Sequence, residues 1–239
     1  MMKKSYTSKT MTEEIKAFKE KLAAAGVSGL ALDIDDTLSE SNVHWFEHMF
    51  KFHMPAGMTK EHILENYSFV ELVPDWQTKE AMDYMQEILF SNEFNASIPL
   101  IEGADHAVRS VNQHVPIVAY ITARQETVRP GTEKWLHKHT FPAAELIMRP
   151  SGISLNAADA VNRNMWKAQV LKYLYPQVAG IVDDNIGLAH QLESLGYEGM
   201  LYVYGKKTDE FNGNPRVIVC PTWADVLSHV KRSSRTNSN

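Results

Sequence analysis

Apolar positions recur along this chain with two different periods, and the places where the period changes mark its organisation. Over 12–25 they fall at Ile15, Phe18 and Leu22, the stripe of a helix, with Thr10 and Glu13 spaced as a capping box and Gly26 as the stop. The next run, GLALDI, is short and almost continuously apolar, the pattern of a buried strand. From about 41 to 95 only the helical period is found. Helices are predicted near 42–53, 59–66 and 77–91, separated by MPAG and VPDW turns, with no good strand among them. Strand and helix patterns then alternate. A helix near 103–113 leads into PIVAYIT, a helix near 131–139 into ELIMRP, and NMWKAQVLKYLY into VAGIVDD; GMLYVYG and VIVC add strands, and TWADVLSHV a last helix.

This alternation predicts an α/β fold class: a Rossmann-like parallel sheet with helices on both faces, built from 1–40 and 101–230. A small helical cap, 41–100, interrupts it right after the first strand. An insert at that place hangs over the carboxyl ends of the strands, the edge at which open α/β sheets bind ligands. The stretch KRSSRTNSN, 231–239, is polar enough that a disordered tail is expected.

Composition narrows the partners. The 239 residues suffice for one sizeable domain with an insert, and a formal net charge of −5 offers no basic face for nucleic acid. Cys220 is the single cysteine, so no intrachain disulfide can form and a cytoplasmic setting is expected. The N-terminal MMKKSYTSKTMTEE lacks the apolar run of a signal peptide, and no apolar stretch of about 18 residues occurs, so no membrane association is expected.

Chemistry gathers at the strand ends. Asp33 and Asp35 follow LAL, Thr122 follows PIVAYI, and Asp183 with Asp184 follows VAGIV. In a parallel sheet these ends share one edge. Singly, each aspartate reads as a turn or cap residue; together they crowd negative charge that needs a cation. Lys167 is the protein's own candidate. Val170, Leu171 and Leu174 lie three, four and seven positions beyond it, so it shares the stripe that faces the sheet. With Asn164 as N-cap it would also stand in a first turn, where the helix dipole disfavours a cation. A lysine so placed should have an anionic partner, and the acidic cluster is within reach. Negative charge still remains in excess. A hard divalent cation held by carboxylate oxygens, Mg²⁺ in preference, resolves it, and such a site attracts phosphate. Zinc is disfavoured, because no Cys or His accompanies these aspartates.

The set DIDDT (33–37), YITAR (120–124), Lys167 and IVDDN (181–185) resembles, in order and in placement, the four motifs of the haloacid dehalogenase-like (HAD) superfamily. The resemblance implies that Asp33 is the nucleophile forming an aspartyl phosphate and that Asp35 is the acid and base. It further implies that Thr122 and the backbone N–H of Ala123 hold phosphoryl oxygens while Lys167 balances charge. Mg²⁺ would be held by Asp33, Asp183 and the carbonyl of Asp35, with Asp184 assisting directly or through water. An acid two positions after the nucleophile favours phosphoryl transfer over dehalogenation.

The insert is rich in aromatic residues, among them Trp45, Phe46, Phe50, Phe69, Trp76 and Phe94. Most are needed for a small cap's own core; two or three could grip a flat leaving group. The expected function is therefore Mg²⁺-dependent hydrolysis of a small-molecule phosphate ester, with a nucleoside monophosphate as the leading guess. A phosphomutase or phosphotransferase is the alternative within the superfamily. From other classes, HWFEH (44–48) fits the H-x-x-E-H zinc-peptidase pattern through His44 and His48, though it lacks a third ligand, and a silent phosphate-binding protein is the remaining rival.

Overall fold

The computed structural model describes residues 12–150 and 157–236, with side chains over 12–150 and 163–233. Helix α1 (Glu13–Ala24) is N-capped by Thr12, whose hydroxyl accepts from the Ile15 N–H at 3.3 Å. Thr10, expected to cap it, lies outside the described residues. Strand β1 (Gly29–Leu32) comes next, and after it the helical insert: α2 (Ser41–Phe52), α3 (Lys60–Asn66), two 3-10 turns over Val70–Leu72 and Pro74–Trp76, α4 (Lys79–Leu89) and α5 (Asn92–Ser97). The chain then runs α6 (Ala104–Asn112), β2 (Ile117–Gln125), α7 (Arg129–Lys138), β3 (Glu145–Arg149), α8 (Ala157–Leu174), β4 (Val178–Asp183), α9 (Ile186–Ser194), β5 (Met200–Tyr204), β6 (Val217–Cys220) and α10 (Trp223–Thr236).

The strands form one six-stranded sheet in the order β3-β2-β1-β4-β5-β6, parallel throughout. β1 is central: Leu32 registers with Tyr120 of β2 on one side and with Val182 of β4 on the other. Its four residues are all buried, which explains their unbroken apolar run. Gly29 is required where β1 begins, since a Cβ there would fall 2.2 Å from the Pro116 carbonyl oxygen. One sheet face packs on Ile15, Phe18 and Leu22 of α1, Val170, Leu171 and Leu174 of α8, and Leu188 of α9. The other packs on Val108 and Val111 of α6, Trp135 of α7, and Val226 and Val230 of α10.

The insert has its own core, built around the fully buried Trp76 with Phe46, Met49, Phe50, Ile63 and Met85. Its root is tied to the sheet domain. The Glu40 N–H donates to the Pro99 carbonyl and the Ile101 N–H to that of Leu38, each at 2.9 Å, pairing the outgoing and returning strands of chain. α5 lies on α7: the Gly131 N–H donates to Asn92 Oδ1 at 2.7 Å, and Trp135 Nε1 to the Ile98 carbonyl at 2.7 Å.

Two expectations need correction. Asn164 is not an N-cap, because α8 starts at Ala157, so Lys167 is well inside the helix and not in its first turn. The Asn164 amide instead donates to Asn185 Oδ1 at 3.2 Å. The polar stretch 231–239 is not an unstructured tail over its described part, since α10 carries on to Thr236. Among the described residues no helix is long and apolar enough to cross a membrane.

Candidate active site

The ends of β1, β2, β3 and β4 put polar side chains where the sheet opens beneath the insert. Asp33 directly succeeds β1, and its N–H donates to the Val182 carbonyl at 2.9 Å, so its backbone is fixed by the neighbouring strand. Asp183 ends β4, completely buried, with Oδ1 accepting the Asn185 N–H at 2.9 Å. Between them stands Lys167, 4% exposed, its Nζ 2.8 Å from Asp33 Oδ1 and 2.7 Å from Asp183 Oδ2. A buried ammonium without such partners would lose its charge. Here burial pulls its pKa down, but the two carboxylates outweigh it and hold the group above its ordinary value, so it is charged. The anionic partner expected for Lys167 is found, for the reason of burial and not of the helix dipole.

Asp184 joins this group. Carboxylate oxygens of Asp33, Asp183 and Asp184 all lie within 4.8 Å of one another. Burial, with Asp183 and Asp35 nearby, pushes Asp33 well up despite Lys167. Asp184 is raised to about 7 by burial and by Asp183, partly offset by Lys206, whose Nζ is 3.4 Å from its Oδ2. The Asp184 N–H donates to Thr37 Oγ1 at 3.1 Å, and the Thr37 carbonyl accepts from Trp223 Nε1 at 3.1 Å, so the loops after β1 and β4 are clamped together. Three crowded carboxylates with only one lysine among them form an all-oxygen donor set suited to a hard divalent cation.

Asp35 is directed elsewhere. The Arg124 guanidinium grips it in a fork: Nε donates to Oδ1 at 3.0 Å and Oδ2 at 3.1 Å, and Nη2 to Oδ1 at 2.7 Å. Ser41 Oγ, on the first residue of α2, donates to Oδ1 as well. Burial raises this carboxyl, but the charge and hydrogen bonds of Arg124 prevail and hold it below the ordinary carboxylate range. The side chain of Arg124 is itself only 4% exposed and lies over the Trp135 ring, with its centre 5.9 Å away. Asp35 therefore contributes no carboxylate to the three-acid group. Arg124 is a site residue to which the sequence pattern assigned no role. The available signal was an arginine at the end of a buried strand, which must find an anion.

Thr122 is fully buried, and its Oγ1 accepts the Arg124 N–H at 3.2 Å. The cavity above the carboxylates, of about 280 Å³, is lined in this region by Ala123, Arg124 and Gln125 and not by Thr122. Asp36 adopts a left-handed backbone (φ 54°) and accepts the Asn42 N–H on Oδ1 at 2.9 Å, so it caps α2 from a distance. The cavity floor carries Asp33, Asp35, Asp36, Asp184 and Lys167, while the insert supplies Trp45, Phe69, Met82, Met85 and Phe94.

The zinc pattern in the insert gains no third ligand. His44 Nε2 pairs with Ser97 Oγ at 3.1 Å, and the His44 and His48 rings meet edge to face at 4.7 Å. Among the described residues, Asp33, Asp183 and Asp184 are the only group that could hold a metal.

No protein-family model matches the sequence. A search of curated proteins returns no match either. Solved structures do match in fold: the six-stranded parallel core is the fold of a HAD hydrolase. The HAD-hydrolase YfnB from Bacillus subtilis, solved with bound magnesium, superposes with a TM-score of 0.50 at 12% identity, over 85% of this chain and 98% of that one. A HAD-superfamily hydrolase from Ehrlichia chaffeensis gives a TM-score of 0.46 at 11% identity, over 85% and 96%. At such identities the likeness is one of fold.

Proposed function

We propose that the protein is a phosphomonoester hydrolase of the HAD type, using Asp33 as the nucleophile. The observation that carries this reading is the pairing of Asp33 with the buried, charged Lys167 at 2.8 Å on the floor of a cavity. A carboxylate fixed by its backbone, balanced by one lysine and open on one side can approach phosphorus in line.

In the first step an Asp33 oxygen bonds to phosphorus and the bond to the leaving oxygen breaks; Asp35, when protonated, supplies the proton that oxygen takes. In the second, water attacks the phosphorus of the aspartyl phosphate, Asp35 accepts its proton, and the bond to Asp33 breaks to release phosphate. Arg124 holds Asp35 ionised, which suits the second step better than the first. Because the second step is the same for every ester, all esters should depend on Asp35 as the base, whatever their leaving group. Lys167, with the Ala123 N–H at the end of β2, would face the phosphoryl oxygens. Thr122 would act from behind, through the Arg124 N–H that it accepts.

Asp33, Asp183 and Asp184 would hold a divalent cation, with the Asp35 carbonyl as a further ligand. Mg²⁺ is the first choice from the all-oxygen donor set, supported by the magnesium in the Bacillus subtilis structure. When bound, it would neutralise the carboxylates and draw charge from the phosphoryl oxygens. The aromatic and thioether wall of Trp45, Phe69, Met82, Met85 and Phe94 supports a flat leaving group such as a nucleoside. The single buried Cys220 suits work in the cytoplasm.

The test is hydrolysis of an aryl phosphate with Mg²⁺, with Zn²⁺ and with EDTA. Turnover should require Mg²⁺, and Asp35→Asn should slow both the aryl ester and an alkyl phosphate by about 10²- to 10⁴-fold through the second step they share. Turnover that persists in EDTA, or an Asp35→Asn variant that keeps its turnover, would remove the metal assignment or the role of Asp35 respectively.

A further inference from the structure

Among the described residues, one cation of the cavity is engaged neither by the phosphoryl chemistry proposed above nor by an ion pair of the fold. Lys167 is engaged by Asp33 and Asp183, and Arg124 by Asp35. Arg149 is buried and donates from Nε to the Ala123 carbonyl at 3.1 Å. Arg163 also lines the cavity, yet among the described residues no carboxylate pairs with it. It lies four residues before Lys167 on α8 and hence on the same helix face, with about 5–6 Å between Cβ atoms. α8 connects the carboxyl end of β3 to the start of β4, so it descends from the open edge of the sheet, and Arg163 stands one turn above Lys167, toward the insert. At that height a bound ester no longer presents its scissile phosphate but its leaving group. Asn164 beside it is already committed to Asn185.

We infer that the leaving group carries a second anionic group, a phosphate or carboxylate, which Arg163 reads while the apolar wall of the insert holds the intervening scaffold. The inference rests on the proposed phosphatase reading and refines it: a neutral nucleoside would leave Arg163 without an anion to meet. An arginine offers a planar fork that matches either anion, and desolvation beneath the insert strengthens the contact.

Matched esters test it. Wild type and Arg163→Gln are compared on a nucleoside 3′,5′-bisphosphate against the 5′-monophosphate, and on 3-phosphoglycerate against glycerol 3-phosphate; the first pair tests phosphate as the second anion, the second carboxylate. In the wild type KM should be lower for the ester with the second anionic group in at least one pair, and Arg163→Gln should shrink that ratio roughly tenfold or more, with Arg163→Lys recovering part of it. Calorimetric binding of the same ligands to Asp33→Asn gives the ratio without turnover. Absence of hydrolysis of every ester by the wild type would defeat the phosphatase reading, and the binding ratio would still judge Arg163. Equal ratios in wild type and Arg163→Gln, or an equal loss of affinity for all esters, would overturn the inference.

Discussion

The sheet domain and the insert divide polar and apolar surface in opposite ways. In the sheet domain, buried charge is concentrated at one edge, where Asp33, Arg124, Arg149, Lys167 and Asp183 are all shielded from water. In the insert, the exception is exposed apolar surface: Val43, Leu64, Phe69, Leu72 and Met82 are each more than a third exposed, and among the described residues every exposed large hydrophobic lies between Val43 and Phe90. Buried charge fixes a reaction, because it survives only with particular partners at particular places. Half-exposed apolar side chains fix a preference, because they grip whatever shape covers them. On the proposed reading, chemistry falls to the first region, and selection to the second together with Arg163.

The sharpest way to break that division is at Asp33. Asp33→Asn should fold and lose turnover by roughly 10⁴-fold or more on every ester, measured in steady state; selective loss would move chemistry into the insert. Next is Lys167→Ala, which strands Asp33 and Asp183 without a cation and should lower unfolding free energy by about 3–5 kcal/mol in urea titration. An unchanged midpoint would show that the pair is not held as described. Trp76→Ala opens a cavity in the insert's core, at an expected cost of about 3–5 kcal/mol, and protease nicking should then concentrate between 41 and 91 with the sheet domain intact.

A pH titration is gentler. Asp184 is raised to about 7 and Asp36 to about 6, so between the unfolded value near 4 and these values the folded chain binds more protons than the unfolded one. Stability without metal should therefore fall as pH rises, by about 1 kcal/mol from pH 6 to pH 8 for Asp184 alone. A metal-free chain that is more stable at pH 8 would contradict the crowding of carboxylates. Smallest in stability is Phe69→Ala: at 51% exposure it should shift unfolding by no more than about 0.5 kcal/mol while altering KM among esters by severalfold.

How far the sequence reaches depends on the kind of contact. The strand ends at Asp33 and Asp183 were legible because a buried strand announces itself by an unbroken apolar run, and the residue that closes such a run stands at the sheet edge; Thr122 closes an apolar run too, but β2 continues to Gln125 and leaves it behind the cavity wall. Lys167 was legible because a lysine on an apolar helical stripe is an anomaly. Asn164 misled as an N-cap for a local reason: AADAVNR ahead of it is a good helix former, so α8 begins earlier and Asn164 turns its amide to Asn185. The final helix was misjudged past Val230 because polar residues on the outer face of a helix need no core of their own. α9 and α5 passed unnoticed, being short and lying beside stronger signals.

By itself, then, the sequence determined the α/β class, the interruption after β1 and the residues that end each strand, since these arise from periodicity and from what chain geometry permits nearby. Tertiary structure alone decided the pairings: Arg124 with Asp35 across 89 positions, and Asp184 with Asp33 and Asp183. The physical reason is that charge acts through space. Which carboxylate meets a cation, and which is left to a metal, depends on distances of a few ångströms that no spacing along the chain encodes.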